Sequence, residues 1–434
     1  MVDTSIVAQF SQYFWLYFPL GVIGCYRWSV WVFKVICAHF YRPYHVEIPG
    51  YYTSLGIITP VHDEDPILFL KALESWAKNT PDELIAVIDE RDIPCIAAFK
   101  EFAKDKSWAK LIVTPKPGKR SALVDGILRS ESKIVALVDS DVIWGPDIRE
   151  KILAPFRDPK IGGVAVKQNT IKSEYIWQRI ADIIWDQRNY VDWPSQASMG
   201  KALTCLSGRT AIYRREILLS LLNEFLNETI LGRKKESGED KCLTRLVQRE
   251  GWSTYYQTTV QVYTAASKNF TVFWKQKIRW TRNTFNSDLA SLSDDWIWKK
   301  PYLLFFTIDK FISVFTLFIG PIAFAIALYL NHWGVALSII ILWIVGRGIR
   351  MGHHIRHNPS NILTIPVYVA SNFWMGLAKI YALATIRDQK WIRPKNRYQA
   401  RKLLIQKVKN IAMTGGILSA IVVFVLLLTG LDIR

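Results

Sequence analysis

Residues 133–144 read KIVALVDSDVIW. An unbroken apolar run, IVALV, stops at Asp139-Ser140-Asp141, and apolar residues then resume. A continuous apolar run marks a parallel strand buried on both faces. The acids therefore stand where such a strand leaves its sheet. Residues two apart in extended backbone point to one side, which predicts that Asp139 and Asp141 converge while Ser140 points away. Two hard oxygen ligands on one side suit Mg2+ or Mn2+, which take few protein carboxylates and complete their shell with phosphate and water. The same three residues also read as a solvated turn, so the surrounding sequence has to choose.

Outward from that stretch, short β-rich runs (LGIITPV, ELIAVID, AKLIVT, IGGVAV) alternate with helical ones such as PILFLKALESWAKN over residues 45–267. That alternation predicts an α/β domain with a mostly parallel sheet, whose chemistry sits at the carboxyl ends of the strands. Two further strand ends carry acids: Asp89 closes ELIAVID, and His62-Asp63-Glu64-Asp65 follows LGIITPV. Each alone is an ordinary turn or helix cap; three together point to a site. In KPGKRSAL, Lys119 and Arg120 follow a Pro-Gly turn at the start of a helix, which makes either a phosphate site or a solvated basic loop. In SGEDKCL, Glu239 and Asp240 open a helix after a glycine, as caps or with one acting as general base. In QKIRW, residues Gln276, Arg279 and Trp280 share one helix face. They offer a forked donor for phosphate and a flat platform for a sugar ring, or else a membrane anchor.

The chain has 434 residues, half of them hydrophobic, and a formal net charge of +18. Such a charge suits nucleic acid, an anionic membrane surface or an anionic substrate. The long apolar runs favour a lipid bilayer as partner, and no nucleic-acid motif occurs, so nucleic acid is not expected. Five scattered cysteines with no Cys-x-x-Cys pair argue for reduced thiols rather than a disulfide framework or zinc site. Residues 1–26 include an uncharged stretch, 5–26, long enough to cross a bilayer. Arg27, Lys34 and Arg42 follow it, which places residue 27 onward in the cytosol. Residues 27–44 read as an interfacial helix, a second span being the competing reading. Residues 268–300 read as an amphipathic interfacial helix. Within 301–434, spans are expected at 302–330, 333–346 and 411–430. Residues 362–386 have basic flanks on both sides and are expected to be re-entrant or interfacial.

The ordered set TPVHDEDP, VIDERD, KPGKRSAL, VDSDV, CLSGRTAIYRREIL, SGEDKCL and KQKIRW, with apolar helices behind it, resembles the processive family 2 glycosyltransferases, such as hyaluronan, chitin, cellulose and type 3 capsule synthases. The resemblance covers residues 55–285 by motif. It implies a cytosolic GT-A (Rossmann-like) domain inserted between transmembrane and interfacial helices of a plasma-membrane protein, a UDP-sugar donor, and Mg2+ or Mn2+. By motif it implies that Asp89 contacts uracil, that Glu64 belongs to the adjoining nucleotide turn, and that Lys119 holds the nucleotide region. Asp141, supported by Asp139, would bind metal and diphosphate, and Asp240 would be the general base. Gln276 and Arg279 would contact diphosphate, and Trp280, with Cys205 and Ser207, the acceptor sugar. Trp391 and Arg393 stand where the family has a gating motif, here without its Thr. His62-Asp63 and Arg209 also depart from the hyaluronan synthase pattern.

The function expected is therefore processive, inverting transfer from UDP-sugars to a growing β-linked polysaccharide, hyaluronan-like or type 3 capsule-like, with translocation of the product. Two alternatives stay open. One is a non-processive transferase acting on a lipid phosphate. The other is a nucleotide-binding membrane transporter, although transporters usually build their path from many spans and repeats.

Overall fold

A computed structural model describes residues 4–47, 50–116, 118–171, 173–230, 232–387 and 397–429. The chain divides into two compact units. One comprises Cys37–Phe270 and Asn283–Phe306; the other comprises Met1–Ile36, Thr271–Arg282 and Thr307–Arg434.

The first unit is built on an eight-stranded sheet. Its strands in chain order are β1 (Leu55–Val61), β2 (Glu83–Asp89), β3 (Ala109–Thr114), β4 (Ile134–Val138), β5 (Ile143–Trp144), β6 (Ile161–Thr170) and β7 (Thr210–Arg214). A separate two-stranded ribbon, β8 (Thr229–Ile230) with β9 (Arg233–Lys234), precedes the last sheet strand, β10 (Ser253–Thr264). The sheet order is β3-β2-β1-β4-β7-β6-β10-β5. β3, β2, β1 and β4 run parallel, joined by helical crossovers. β7 runs antiparallel to both β4 and β6, and β5 antiparallel to β10. Every residue of β2 and β4 is buried, as their apolar runs require.

Two of the site's supports follow from this packing. Helix Lys119–Arg129 lies so close to β1 that a Cβ on Gly126 would sit 2.4 Å from Ile58 Cγ2. Helix Glu239–Arg249 is anchored by a buried ion pair, Lys241 Nζ to Asp288 Oδ1 at 2.7 Å, and by a half-buried one, Arg245 Nη1 to Asp294 Oδ2 at 3.2 Å.

The second unit is helical. Four helices are long and apolar enough to cross a membrane among the described residues: Leu20–His39, Pro301–Tyr329, Trp333–Arg350 and Gln406–Leu427. The expected boundary at residue 26 between a span and an interfacial helix is not found. One helix runs unbroken over Thr4–His39. The charge that suggested the boundary is internally matched: Arg27 Nη1 donates to Asp309 Oδ1 at 2.8 Å, and Arg27 Nε donates to Thr316 Oγ1 at 2.9 Å. Nor does an interfacial helix extend to residue 44. Beyond His39 the chain follows β10, where the Tyr41 hydroxyl donates to the Tyr256 carbonyl at 2.6 Å and Tyr255 donates to the Arg42 carbonyl at 2.8 Å. The expected interfacial segment 268–300 holds one helix, Phe270–Leu292, which the two units share at residue 282. Beyond Arg282 the helix belongs to the first unit, where Ser237 Oγ donates to Asn283 Oδ1 at 2.9 Å. Residues 362–386 hold a short 3-10 turn and the helix Ile365–Ala384.

Candidate active site

β4 ends at Val138, so Asp139-Ser140-Asp141 is a turn closed by the Val142 N–H on the Asp139 carbonyl at 3.2 Å. The extended-backbone expectation for this triplet is corrected accordingly. Ser140 does not point away from the site but donates to Glu64 Oε2 at 2.8 Å, tying the β1 acid loop to the β4 turn. Glu64 also caps its own loop by accepting the Asp65 N–H at 3.0 Å.

Lys119 is the hub of the cleft. Its Nζ lies 2.5 Å from Asp139 Oδ1 and 2.6 Å from Glu239 Oε1, joining residues from three chain segments. Lys119, Asp139, Gly208, Glu239 and Asp240 line one pocket. Gly208 leaves room for that approach: a Cβ there would stand 3.2 Å from Lys119 Nζ. Burial would push the Lys119 ammonium down, but the two carboxylates outweigh it and hold the group charged. Glu239 is likewise pushed up by burial and held low by Lys119. Arg120, expected to share the phosphate role with Lys119, points the other way. It is buried, donating to the Phe225 carbonyl at 2.7 Å and to Glu228 Oε2 at 2.7 Å.

Asp240 opens helix Glu239–Arg249 behind Gly238, whose φ of +78° suits glycine. Its Oδ1 accepts the Lys241 N–H at 2.8 Å, and its Oδ2 accepts the Cys205 thiol at 3.5 Å. Burial and the neighbouring Glu239 charge raise its pKa, the shift that suits a carboxylate for proton uptake. Ser207 follows on the same segment, its carbonyl accepting the Thr210 N–H at 3.2 Å.

Asp141 is pushed up to about 6, first by burial and then by the charges of Asp139 and Glu64. Crowded carboxylates of this kind accommodate a divalent cation. Among the described residues no group of three or more His, Cys, Asp and Glu side chains could hold a metal by itself. Asp139 and Asp141 are hard oxygen donors of the kind that bind an ion sharing its shell with phosphate and water. Asp89 ends β2 and is clamped by Arg91, whose Nε and Nη2 donate to its two oxygens at 2.8 and 2.6 Å. That pairing, more than burial opposes it, holds the carboxylate well below its usual range. His62 Nδ1 is 3.3 Å from the same carboxylate.

Gln276, Arg279 and Trp280 stand on helix Phe270–Leu292 within the second unit, where Lys277 Nζ lies 5.2 Å from the Trp280 ring centre. Trp391 and Arg393 lie outside the described residues. Sequence reasoning named Asp240 but gave no separate role to Glu239, the acid that Lys119 holds; the adjacent pair was the available signal. It treated Arg209 only as a departure and passed over Trp185 and Arg188. Arg209 lies over the Trp185 ring at 4.0 Å, and Arg188 lies over the same indole at 4.7 Å.

Residues 55–283 match the family described as Glycosyltransferase like family 2. The chain is 26% identical over 401 residues to a hyaluronan synthase of Streptococcus pyogenes, covering 89% of this chain and 94% of that one. It is 28% identical over 415 residues to a type 2 glycosyltransferase of Gibberella zeae, covering 88% and 76%. The fold is similar to that of a mannosyltransferase from Pyrobaculum calidifontis solved in complex with GDP-Man and Mn2+, with a TM-score of 0.55 and 18% identity over 84% of this chain and 98% of that one. The sheet and its flanking helices are thus those of a GT-A, Rossmann-like domain.

Proposed function

The chain belongs to the Glycosyltransferase like family 2, and from that premise we propose that it is a membrane-embedded, processive, inverting enzyme that polymerises UDP-sugars into a β-linked polysaccharide and passes the product across the membrane. The single observation that carries this reading is the meeting of Lys119, Asp139, Glu239 and Asp240 in one pocket, from three segments far apart in the chain.

In this reading Asp240 takes the proton from the acceptor hydroxyl. The hydroxyl oxygen then attacks the anomeric carbon from the face opposite UDP, and the bond from that carbon to the diphosphate breaks, so an α-linked donor yields a β bond. A raised pKa helps Asp240 hold the proton, and the Cys205 thiol and the Lys241 N–H orient its two oxygens. Lys119 keeps Glu239 ionised beside the base and offers positive charge to the leaving diphosphate. Mg2+ or Mn2+ bound at Asp141, with Asp139 in support, would neutralise charge on the departing UDP. Asp89 and Glu64 would hold the nucleotide, and Arg91 would restrain Asp89 until a base displaces it. Gln276, Arg279 and Trp280 would serve diphosphate and acceptor, and Trp391 and Arg393 the exit of the chain. The similarity to a hyaluronan synthase over most of both chains supports polymerisation, a cytosolic catalytic face and a plasma-membrane location.

The test is direct. Purified protein is given radiolabelled UDP-sugars, singly and in pairs, and the products are sized. Long polymer is the expected outcome. A single-sugar lipid would replace this reading with the non-processive one, and UDP binding without transfer would favour a transporter.

A further inference from the structure

Residues 351–358 read MGHHIRHN. They join helix Trp333–Arg350 to helix Ile365–Ala384 within the second unit, through the short helix Gly352–His357 and the turn Pro359–Thr364. No Asp, Glu or Cys occurs between Asp309 and Asp388, yet three of the chain's seven histidines fall in this one connector. The transfer scheme above uses none of them.

The three histidines divide between two sides of the short helix. His354 faces inward and is 2% exposed. Asn361 Nδ2 donates to its Nε2 at 2.8 Å, and the Asn358 N–H donates to its carbonyl at 2.8 Å. Those bonds fix the helix against the turn that follows it. His353 and His357 are both exposed. Residues four apart share one helix face, and here the two rings lie 4.6 Å apart between centres, tilted by 40°. His357 Nδ1 donates to the His353 carbonyl at 2.9 Å. In the neutral ring the lone pair then sits on Nε2. Metal-bound imidazoles are commonly held in this way, the second ring nitrogen donating to a backbone carbonyl or a carboxylate.

We propose that His353 and His357 form a chelating site for a divalent transition ion of the Zn2+, Ni2+ or Cu2+ class, separate from the catalytic cleft. Two histidines at i and i+4 on one helix face are an established way to hold zinc. Zn–N bonds are about 2.0–2.1 Å long, so two nitrogens on one ion stand within about 4 Å of each other. Rings 4.6 Å apart are already within that range. Imidazole selects Zn2+, Ni2+ and Cu2+, whereas Mg2+ and Mn2+ go to carboxylate and water oxygens. The neighbouring Arg356 is exposed on the same helix and opposes any cation drawn by charge alone, so the ion has to bind through nitrogen, with water completing its shell. A helix of six residues is marginal by itself. An ion bridging one of its turns holds the connector helical. This site goes beyond glycosyl transfer and stands whether or not that reading holds.

Full-length protein without a polyhistidine tag, in lipid nanodiscs and stripped with EDTA, is titrated with Zn2+ by calorimetry. Wild type is compared with His353→Gln, His357→Gln, His62→Gln and Asp141→Asn. Amide hydrogen exchange over residues 352–358 is followed with and without Zn2+. Loss of an outer partner of a bound imidazole weakens a metal site by about 10–100-fold, so loss of either ligand should weaken Zn2+ binding by at least about 10-fold. His62→Gln and Asp141→Asn should keep the site. Zn2+ should slow exchange in the connector of wild type but not of His357→Gln. Exchange in wild type needs no substitution and decides the matter even where a variant folds poorly. Zn2+ binding unchanged in both connector variants overturns the proposal. So does binding lost only in Asp141→Asn, which would put the ion in the catalytic cleft, or wild-type exchange that is indifferent to Zn2+.

Discussion

Lys119 and Arg120 are neighbours in the sequence and serve opposite ends of the same problem. Arg120 joins Lys235 and Arg245 around Glu228, at 2.7, 3.5 and 3.1 Å, and all four side chains are buried. Lys119 faces the cleft between Asp139 and Glu239, with Asp141 and Asp240 close enough to feel their charge. In the first cluster a carboxylate has more cations than it needs. Burial pushes Glu228 up, but Lys235 and Arg120 outweigh it and hold the carboxyl at about 2. In the second cluster the acids outnumber the cations, and Asp141 and Asp240 are pushed up. A buried cluster whose carboxylate is paired on every side holds the fold; one with surplus negative charge is poised for a cation and a proton.

The largest effect that could break this contrast is on turnover. Asp240→Asn should reduce transfer by about 10²–10⁴-fold, the usual worth of a general base, while UDP binding measured by calorimetry stays close to wild type. Joint loss of binding and turnover would put Asp240 among the donor contacts instead. Next in size, Glu228→Gln should destabilise the protein by about 3–5 kcal/mol, because it leaves buried cations unmatched. Thermal melting reads that loss directly, and an unchanged melting temperature would remove the Glu228 cluster from its structural role.

Asp141 should behave in the opposite sense. Its pKa is raised from 3.8 to about 6 in the folded chain, so the folded state binds the proton more tightly than the unfolded one. The stability this contributes is fully present below about pH 3.8 and is lost as pH rises through about 6. By neutral pH, Asp141→Asn should therefore stabilise the ligand-free protein, by roughly 2–3 kcal/mol at most. A lower melting temperature for this variant at pH 7.5 would contradict the account. The smallest effect is expected from Gly208→Ala. Its new methyl group meets the mobile end of Lys119 at 3.2 Å, so stability should change by less than about 1 kcal/mol while the KM for donor rises. An unchanged KM would show that Lys119 has room to spare.

The same contrast explains what could be read from the chain beforehand. β1, β2 and β3 were legible to the residue, because LGIITPV, ELIAVID and AKLIVT are short apolar runs with clear ends. β7 and β10 were not identified, although TAIYR and STYYQTTVQVYT carry β-branched and aromatic residues; no local signal says that β7 enters antiparallel between β4 and β6. Among site residues, acids at strand ends and at a helix start announced themselves. Only the family motif picks out Lys119; local sequence does not separate it from Arg120, since which cation faces the cleft depends on how helix Lys119–Arg129 rolls against β1. Arg27 misled for a related reason. A charge inside an apolar helix looks like its end until its partner, Asp309, is found 282 residues away.

In the proposed function, surplus negative charge in the cleft is relieved by a divalent ion arriving with a nucleoside diphosphate. The most direct measurement is the melting temperature of full-length protein at pH 7.5, with and without Mn2+ plus UDP, for wild type and Asp141→Asn. The account predicts that wild type melts lower alone and rises with the pair, and that Asp141→Asn starts higher and gains little. A wild type indifferent to Mn2+ plus UDP, or an Asp141→Asn variant that starts lower and gains as much, would contradict it.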